Sequence, residues 1–305
     1  MRIVLALGGN ALLRKGQKLT AENQRENVRS AVTKIVPLID AGHDIVITHG
    51  SGPQIGLLAL QGYAYKADQL YPLDVLDAQV EGMIGYVIGQ ELFNARTDNT
   101  QIATLLTQIE VDGNDPAFQD PTKPIGPFFK KEEAERLAKQ NNWTIIKDKG
   151  EYRRVVPSPL PKKLVEAEII KMLVDRGVVV ICAGGGGIPV VRQPDGDLVG
   201  IEGVIDKDYA SALLSADLDA DMLMLLTDVD GVYENWGKPG QRMLQNVRPD
   251  AIDMAAFAAG SMRPKIGAAC QFAAKKGKIS VIGSIDQIDL IMRGDSGTRF
   301  ESPAV

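Results

Sequence analysis

Short, continuous apolar runs recur along the chain: IVLAL at 3–7, DIVIT at 44–48, VVVICA at 178–183, MLMLLT at 222–227 and ISVIG at 279–283. Runs of this length without polar alternation suit strands covered on both faces. Between them lie stretches whose apolar residues fall three and four apart. Val28, Ala31, Val32, Ile35 and Ile39 predict a helix over about 21–41, closed by Gly42. Segments 74–95, 166–177 and 203–218 read as further helices, the last with Asp206 as N-cap. Helices are also expected near 249–258 and 264–276, and IATLLTQIEV (102–111) is expected as one more strand. Strand–helix alternation implies a mostly parallel open sheet with helices on both faces, an α/β three-layer αβα sandwich.

One region breaks the alternation. DGNDPAFQDPTKPIGPFF carries prolines at 116, 121, 124 and 127. A charged helix, KKEEAERLAKQ, and WTIIKDKGEYRRVV follow, with Gly150 placed for a hairpin turn. The expectation is a single domain over 1–305, with 115–157 protruding from it as a lid-like insertion.

Charge and composition exclude several classes. A formal net charge of −5 and only 5% aromatic residues leave neither a polyanion-attracting field nor stacking platforms, so no nucleic-acid partner is expected. No run approaches the roughly 20 apolar residues of a membrane span, and the N-terminal run is too short for a signal-peptide core, so a cytoplasmic protein is expected. Cys182 and Cys270 form no CxxC pattern and read as small core residues. With His43 and His49 the only histidines, a structural zinc site is disfavoured, and no metal ligands are assigned.

Three strands end in glycine-rich turns: Gly8-Gly9, Gly50-Ser51-Gly52 and Gly184 to Gly187. In a parallel sheet such turns gather at the carboxyl edge, where exposed backbone N–H groups beside helix N-termini cradle phosphate oxygens. None matches GxxxxGK[ST] or a strand-following GxGxxG, which disfavours the P-loop and the dinucleotide fingerprint. Two lysines then break a helix rule. Lys207 follows the N-cap Asp206, and Lys265 follows Pro264 at another helix start. A helix N-terminus carries roughly half a positive charge, so each is opposed there unless an anion sits between them. Phosphoryl transfer needs that arrangement, with Asp208 placed to orient the ammonium groups and keep them apart. Asp228 and Asp230 in TDVDGVY resemble the start of a calcium loop, but the later ligands are missing, so a strand-to-turn junction near a nucleotide is expected.

ALGGNALL, HGSGPQIG, PTKPIGPF, RRVVPSP, CAGGGGIPVV, VIDKD, LTDVDGVYENWGKP and GSMRPK, in unbroken order over nearly the whole chain, make the sequence similar to the carbamate kinase family, of the amino-acid-kinase fold. The resemblance implies ATP + carbamate ⇌ ADP + carbamoyl phosphate with Mg²⁺, run toward ATP in arginine or other nitrogen catabolism, by a homodimer. It implies catalytic roles for Lys123, Lys207, Asp208 and Lys265. Gly8, Gly9, Asn10, Gly50, Ser51, Gly52, Gly185 and Gly186 would hold the phosphoryl group and carbamate. Thr227, Asp228, Val229, Tyr233, Met262 and Pro264 would line the ATP/ADP pocket. Lys123 would reach the substrate from the insertion. Ser51 stands where the family pattern has HGNGPQ, Arg263 where it carries a glycine or an aliphatic residue, and FAAGSM lacks its upstream GHF.

The expected chemistry is direct in-line transfer without a covalent intermediate. Carbamate is already an oxyanion, so no general base is needed, in keeping with a transfer site drawn without histidine. Two rival readings stand beside it: a related enzyme of the fold acting on another small acid or a nucleoside monophosphate, and a catalytically silent nucleotide-binding regulator.

Overall fold

The structure is a computed structural model that describes residues 1–14, 16–66, 70–96, 98–148, 150–257 and 262–303. In β1 (Arg2–Leu7), Ile3, Leu5 and Leu7 enter one apolar layer while Val4 and Ala6 enter the other. Two covered faces are why the run shows no polar alternation. α1 (Ala21–Asp40) lays Val28, Ala31, Val32 and Ile35 on the first layer. The Thr20 side chain caps it by accepting from the Asn23 N–H at 3.2 Å, and Gly42, at φ +78°, turns the chain toward β2 (Asp44–His49). α2 (Gly52–Tyr65) and α3 (Leu73–Asn94) follow.

The stretch expected as one strand over 102–111 is two. β3 (Ile102–Thr104) joins the large sheet, and β4 (Gln108–Val111) belongs to a second one. The break falls at 105–107, where the Thr107 N–H is taken by the Glu81 side chain instead of a neighbouring strand.

Next comes the proline-rich region. β5 (Lys123–Phe129), α4 (Lys131–Asn141), β6 (Thr144–Asp148) and β7 (Glu151–Val156) build a separate antiparallel sheet in the order β5-β7-β6. Its small core of Phe129, Ala134 and Leu137 packs with Leu60 and Tyr63 of α2. Gly150, at φ +92°, supports the β6–β7 hairpin; residue 149 of that turn lies outside the described residues.

β8 (Pro161–Leu164), α5 (Ala167–Val174) and β9 (Val179–Ile181) return the chain to the main body. β10 (Ile188–Arg192) and β11 (Leu198–Gly200) form a hairpin around the 193–197 turn, giving the second sheet the order β11-β10-β4-β8. α6 (Lys207–Asp217) precedes β12 (Met222–Thr227), and β13 (Val232–Glu234) pairs with β14 (Arg242–Leu244). β15 (Asn246–Val247), α7 (Met262–Ala273), β16 (Ile279–Ser284), α8 (Ile288–Arg293) and β17 (Thr298–Glu301) complete the chain.

The large sheet runs β15-β17-β16-β12-β1-β2-β9-β3 and is parallel except at β16–β17. α1, α3 and α8 cover one face; α5, α6 and α7 cover the other. The αβα sandwich is therefore as expected, with an antiparallel strand at one side. The helix expected near 249–258 is instead one 3-10 turn, Met254–Ala256, capped by Asp253; residue 258 and most of FAAGSM lie outside the described residues. Cys182 is buried in the core and Cys270, half-buried, packs against it, as read from the sequence, and burial pushes the Cys270 thiol up to about 11.

Candidate active site

β1, β2, β9 and β12 all end at the same edge, so their loops meet there. After β1, Gly9–Ala11 forms a 3-10 turn, and the Gly8 N–H donates to Leu226 O of β12 at 2.9 Å. After β2, Ser51 stands at the N-cap of α2. After β9, Ala183, Gly185, Gly186 and Gly187 all have positive φ, a run that glycine makes affordable. Glu81 of α3 fastens this loop: its carboxylate accepts from Gly184 N at 2.7 Å and from Thr107 N at 3.0 Å. Burial raises the Glu81 carboxyl to about 8 against the pull of those two N–H groups.

α6 starts as expected. Asp206 Oδ1 accepts from Asp208 N at 2.9 Å, which makes Lys207 the first helical residue. α7 starts beside it and presents Lys265 in its first turn or just beyond. The anion between the two lysines turns out to be built in. Lys207 Nζ binds one oxygen of Asp208, and Lys265 Nζ binds the other at 2.8 Å. Asp208 is 2% exposed and Lys207 9%. Burial works to raise the Asp208 carboxyl, but the two ammonium groups hold it far below the usual carboxylate range. Burial draws the Lys207 ammonium down, and repulsion from Lys265 adds to this. Lys265 moves upward: burial opposes it, but Asp208, Asp206 and Asp228 outweigh burial. The asymmetry follows from the greater burial of Lys207. Asp206, foreseen only as a cap, uses its second oxygen to bind Lys123 Nζ of β5.

These groups surround a cavity of about 270 Å³. All four residues assigned catalytic roles line it, with Gly9, Gly50, Ser51, Gly52 and Gly185. Gly186 lies behind it, against Ile205 O. Gly8, Thr227 and Asp228 line an adjoining cavity of about 270 Å³ with Arg14, Asn27 and Ser284. Asn10 lies in the Gly9–Ala11 turn. Val229, Tyr233, Met262 and Pro264 line neither cavity, although the Tyr233 hydroxyl donates to Asp230 at 2.7 Å in the loop after β12. The Arg263 guanidinium donates to Phe257 O at 2.8 Å and ties down the 254–257 turn. His49 lines neither cavity but lies directly under Gly184, closer to the transfer site than the sequence suggested. Burial lowers its imidazole to about 4, so it is neutral at pH 7.

A parallel sheet with glycine turns and paired lysines gathered at its carboxyl edge is the arrangement of a phosphate-handling α/β protein. The amino acid kinase family model matches residues 1–283, and the chain belongs to that family. Within it the similarity is to carbamate kinases. The Haemophilus influenzae carbamate kinase is 56% identical over 300 residues, covering 98% of this chain and 96% of that protein. The carbamate kinase of Escherichia coli strain K12 is 47% identical, covering 97% and 98%. The solved structure of carbamate kinase from Giardia lamblia bound to AMP-PNP superposes with a TM-score of 0.90 at 39% identity, covering 99% and 98%.

Proposed function

We propose that the protein is a phosphotransferase that moves a phosphoryl group between ATP and carbamate, with ADP and carbamoyl phosphate on the other side of the equilibrium. The observation that carries this reading is the Asp208 carboxylate held between Lys207 and Lys265 at two neighbouring helix N-termini, facing the glycine turns across a small cavity.

Lys207 and Lys265 stabilise charge on the transferring oxygens and on the departing phosphate of the nucleotide. Asp208 keeps their ammonium groups apart and aimed. Peptide N–H groups of the turns at Gly9 and Gly52 take the remaining oxygens. Lys123 leaves Asp206 for the carbamoyl oxygens once substrate is seated, and the insertion 115–157 acts as a lid that excludes water. Carbamate needs no deprotonation, and His49, neutral and buried, takes no proton. The silent-regulator reading loses ground because all four charged groups converge on one cavity, and the related-enzyme reading because the similarity over nearly the whole chain is to carbamate kinases.

For Mg²⁺, the donors fit an ion carried mainly by the nucleotide phosphates. Among the described residues no three acidic, imidazole or thiol side chains converge, and Asp206 and Asp208 each already hold a lysine. When bound, the ion neutralises charge on the nucleotide phosphates. ATP formation in arginine or other nitrogen catabolism, in the cytoplasm, belongs to the same reading. So does a homodimer, for which Met83, Tyr86 and Phe93 offer exposed apolar surface on α3; sedimentation at the mass of one chain would remove that part.

The test is coupled ATP formation from ADP and carbamoyl phosphate. Lys207→Ala and Lys265→Ala are each expected to lower kcat by roughly 10²–10³-fold. Lys123→Ala should lower it with ADP affinity nearly intact. Near-normal turnover in these variants, or no ATP from the unaltered protein, refutes the assignment.

A further inference from the structure

Behind the acceptor wall of the cavity lie polar groups that the transfer chemistry does not use. Asp77, on the inner face of α3, is 2% exposed, and neither carboxylate oxygen has a hydrogen-bond partner among the described residues. Gln54, in the first turn of α2, is 1% exposed and equally unpartnered at both amide atoms. Buried polar atoms are almost always paired, so groups left open beside a cleft are poised for something that enters it.

Position says which end of the cleft they serve. A Cβ at Gly185 would stand 2.7 Å from Ser51 Oγ and 3.7 Å from Asp77 Oδ1, and both Gly185 and Ser51 line the cavity. Thus the Asp77 carboxylate sits directly behind the Gly185–Ser51 wall. Gly50, the preceding residue of the same turn, faces Lys207: a Cβ there would meet the Lys207 stem at 3.7 Å and Gly9 N at 3.8 Å. Neither Asp77 nor Gln54 is in the lining of the cavity: their polar atoms are closed off from it, so a ligand meets them only where the Gly185–Ser51 wall parts. Burial, then Glu81, Asp74 and Glu202, push the Asp77 carboxyl well upward, with Lys123 opposing. Protonated or not, at least one of its oxygens still accepts a hydrogen bond.

We propose that the Gly185–Ser51 wall yields as substrate seats, and that Asp77, with the Ser51 hydroxyl and the Gln54 amide, then forms a hydrogen-bonding pocket for the amino group of the carbamoyl unit and thereby selects it over acyl groups that carry a methyl there. This rests on the carbamate reading above. An N–H group offers these acceptors the partners they lack, whereas a methyl leaves them unpaired, and sites built to bond a polar group reject its apolar analogue strongly.

The experiment compares carbamoyl phosphate with acetyl phosphate in ATP formation from ADP, for the unaltered protein and for Asp77→Leu, Asp77→Asn and Ser51→Ala, with Tm and ADP affinity recorded. Asp77→Leu is expected to lower the carbamoyl-to-acetyl ratio of kcat/KM by roughly 10²-fold. Asp77→Asn, which keeps one acceptor, and Ser51→Ala should lower it less. The Asp77 variants should melt no lower than the unaltered protein, because each removes an unpaired buried carboxyl. An unchanged ratio, or a parallel fall for both substrates, overturns the proposal; if Asp77→Leu does not fold, the ratios of the other two variants decide. A protein that makes ATP from carbamoyl phosphate with an unmoved ratio sinks this inference alone, and one that makes none sinks the proposed function with it.

Discussion

Lys207 occupies a position that helix electrostatics oppose, and Asp208 resolves the conflict by lying between it and Lys265. Each charge is tolerable only because the other two are present, so the three act as a unit. His49 shows the opposite strategy: it is buried neutral, its Nδ1 3.0 Å from Gly50 O. Its folded pKa of about 4 lies below the ordinary 6.5, so the unfolded chain binds more protons between those values. The stability it contributes is complete above pH 6.5 and is lost as pH falls toward 4, on the order of 3 kcal/mol in all. Glu81, raised to about 8, tilts the other way, favouring the folded state as pH falls from 8 to its ordinary 4.5. The two overlap, so the His49 contribution shows only by difference. The unfolding free energy of the unaltered protein minus that of His49→Gln should decline from pH 6.5 to 4; a flat difference would show that His49 does not stay neutral.

At the scale of elements, α3 is the informative helix. Leu73, Leu76, Val80, Ile84 and Ile88 form its buried face, yet Asp77 and Glu81 lie on that same face, four residues apart. Two acids on an apolar stripe were a readable signal that the helix serves a site, and it passed unnoticed beside the glycine loops. α6 carries a double duty at its N-cap: Asp206 caps the helix with one oxygen and holds Lys123 with the other. Separate substitutions should divide these roles. Asp206→Ala should cost about 1 kcal/mol and lower Tm by about 2–4 °C. Asp206→Asn should keep Tm close to that of the unaltered protein while freeing Lys123, seen as a changed KM for carbamoyl phosphate. Equal melting of the two variants would argue that the cap contributes nothing.

On the scale of the molecule, the insertion is seated on the main body where two backbones touch. A Cβ on Gly56 of α2 would fall 1.8 Å from Gly126 Cα of β5, a distance no side-chain adjustment relieves. Arg154 lies 4.7 Å over the Trp143 ring and pairs with Glu202 at 3.8 Å, beside a cavity of about 440 Å³ between α2, α3 and the insertion. Gly56→Ala must therefore push the insertion off α2 and carry Lys123 with it. Displacements of about 1 Å in a reacting group are worth roughly 10²-fold in rate. The expected result is a loss of that order in kcat with ADP affinity retained, together with faster proteolysis across 115–157. Normal turnover would show that the seat on α2 does not position Lys123.

Local pattern was enough for the sandwich, the Gly42 stop after α1, the Asp206 cap of α6, the glycine turns and the pair of lysines, because period, capping and backbone freedom act over a few residues. Pairing across the chain was not legible. The break between β3 and β4 depends on a Glu81 side chain 26 residues away from Thr107, and the β16–β17 antiparallel pair depends on a partner that no periodicity names. The same holds for the site: its residue types were readable, and so was Asp208 as the group that keeps the two lysines apart, but that Asp206 would hold Lys123, and that Asp77 would be left without a partner, followed only once packing had set which groups meet and which are cut off from water.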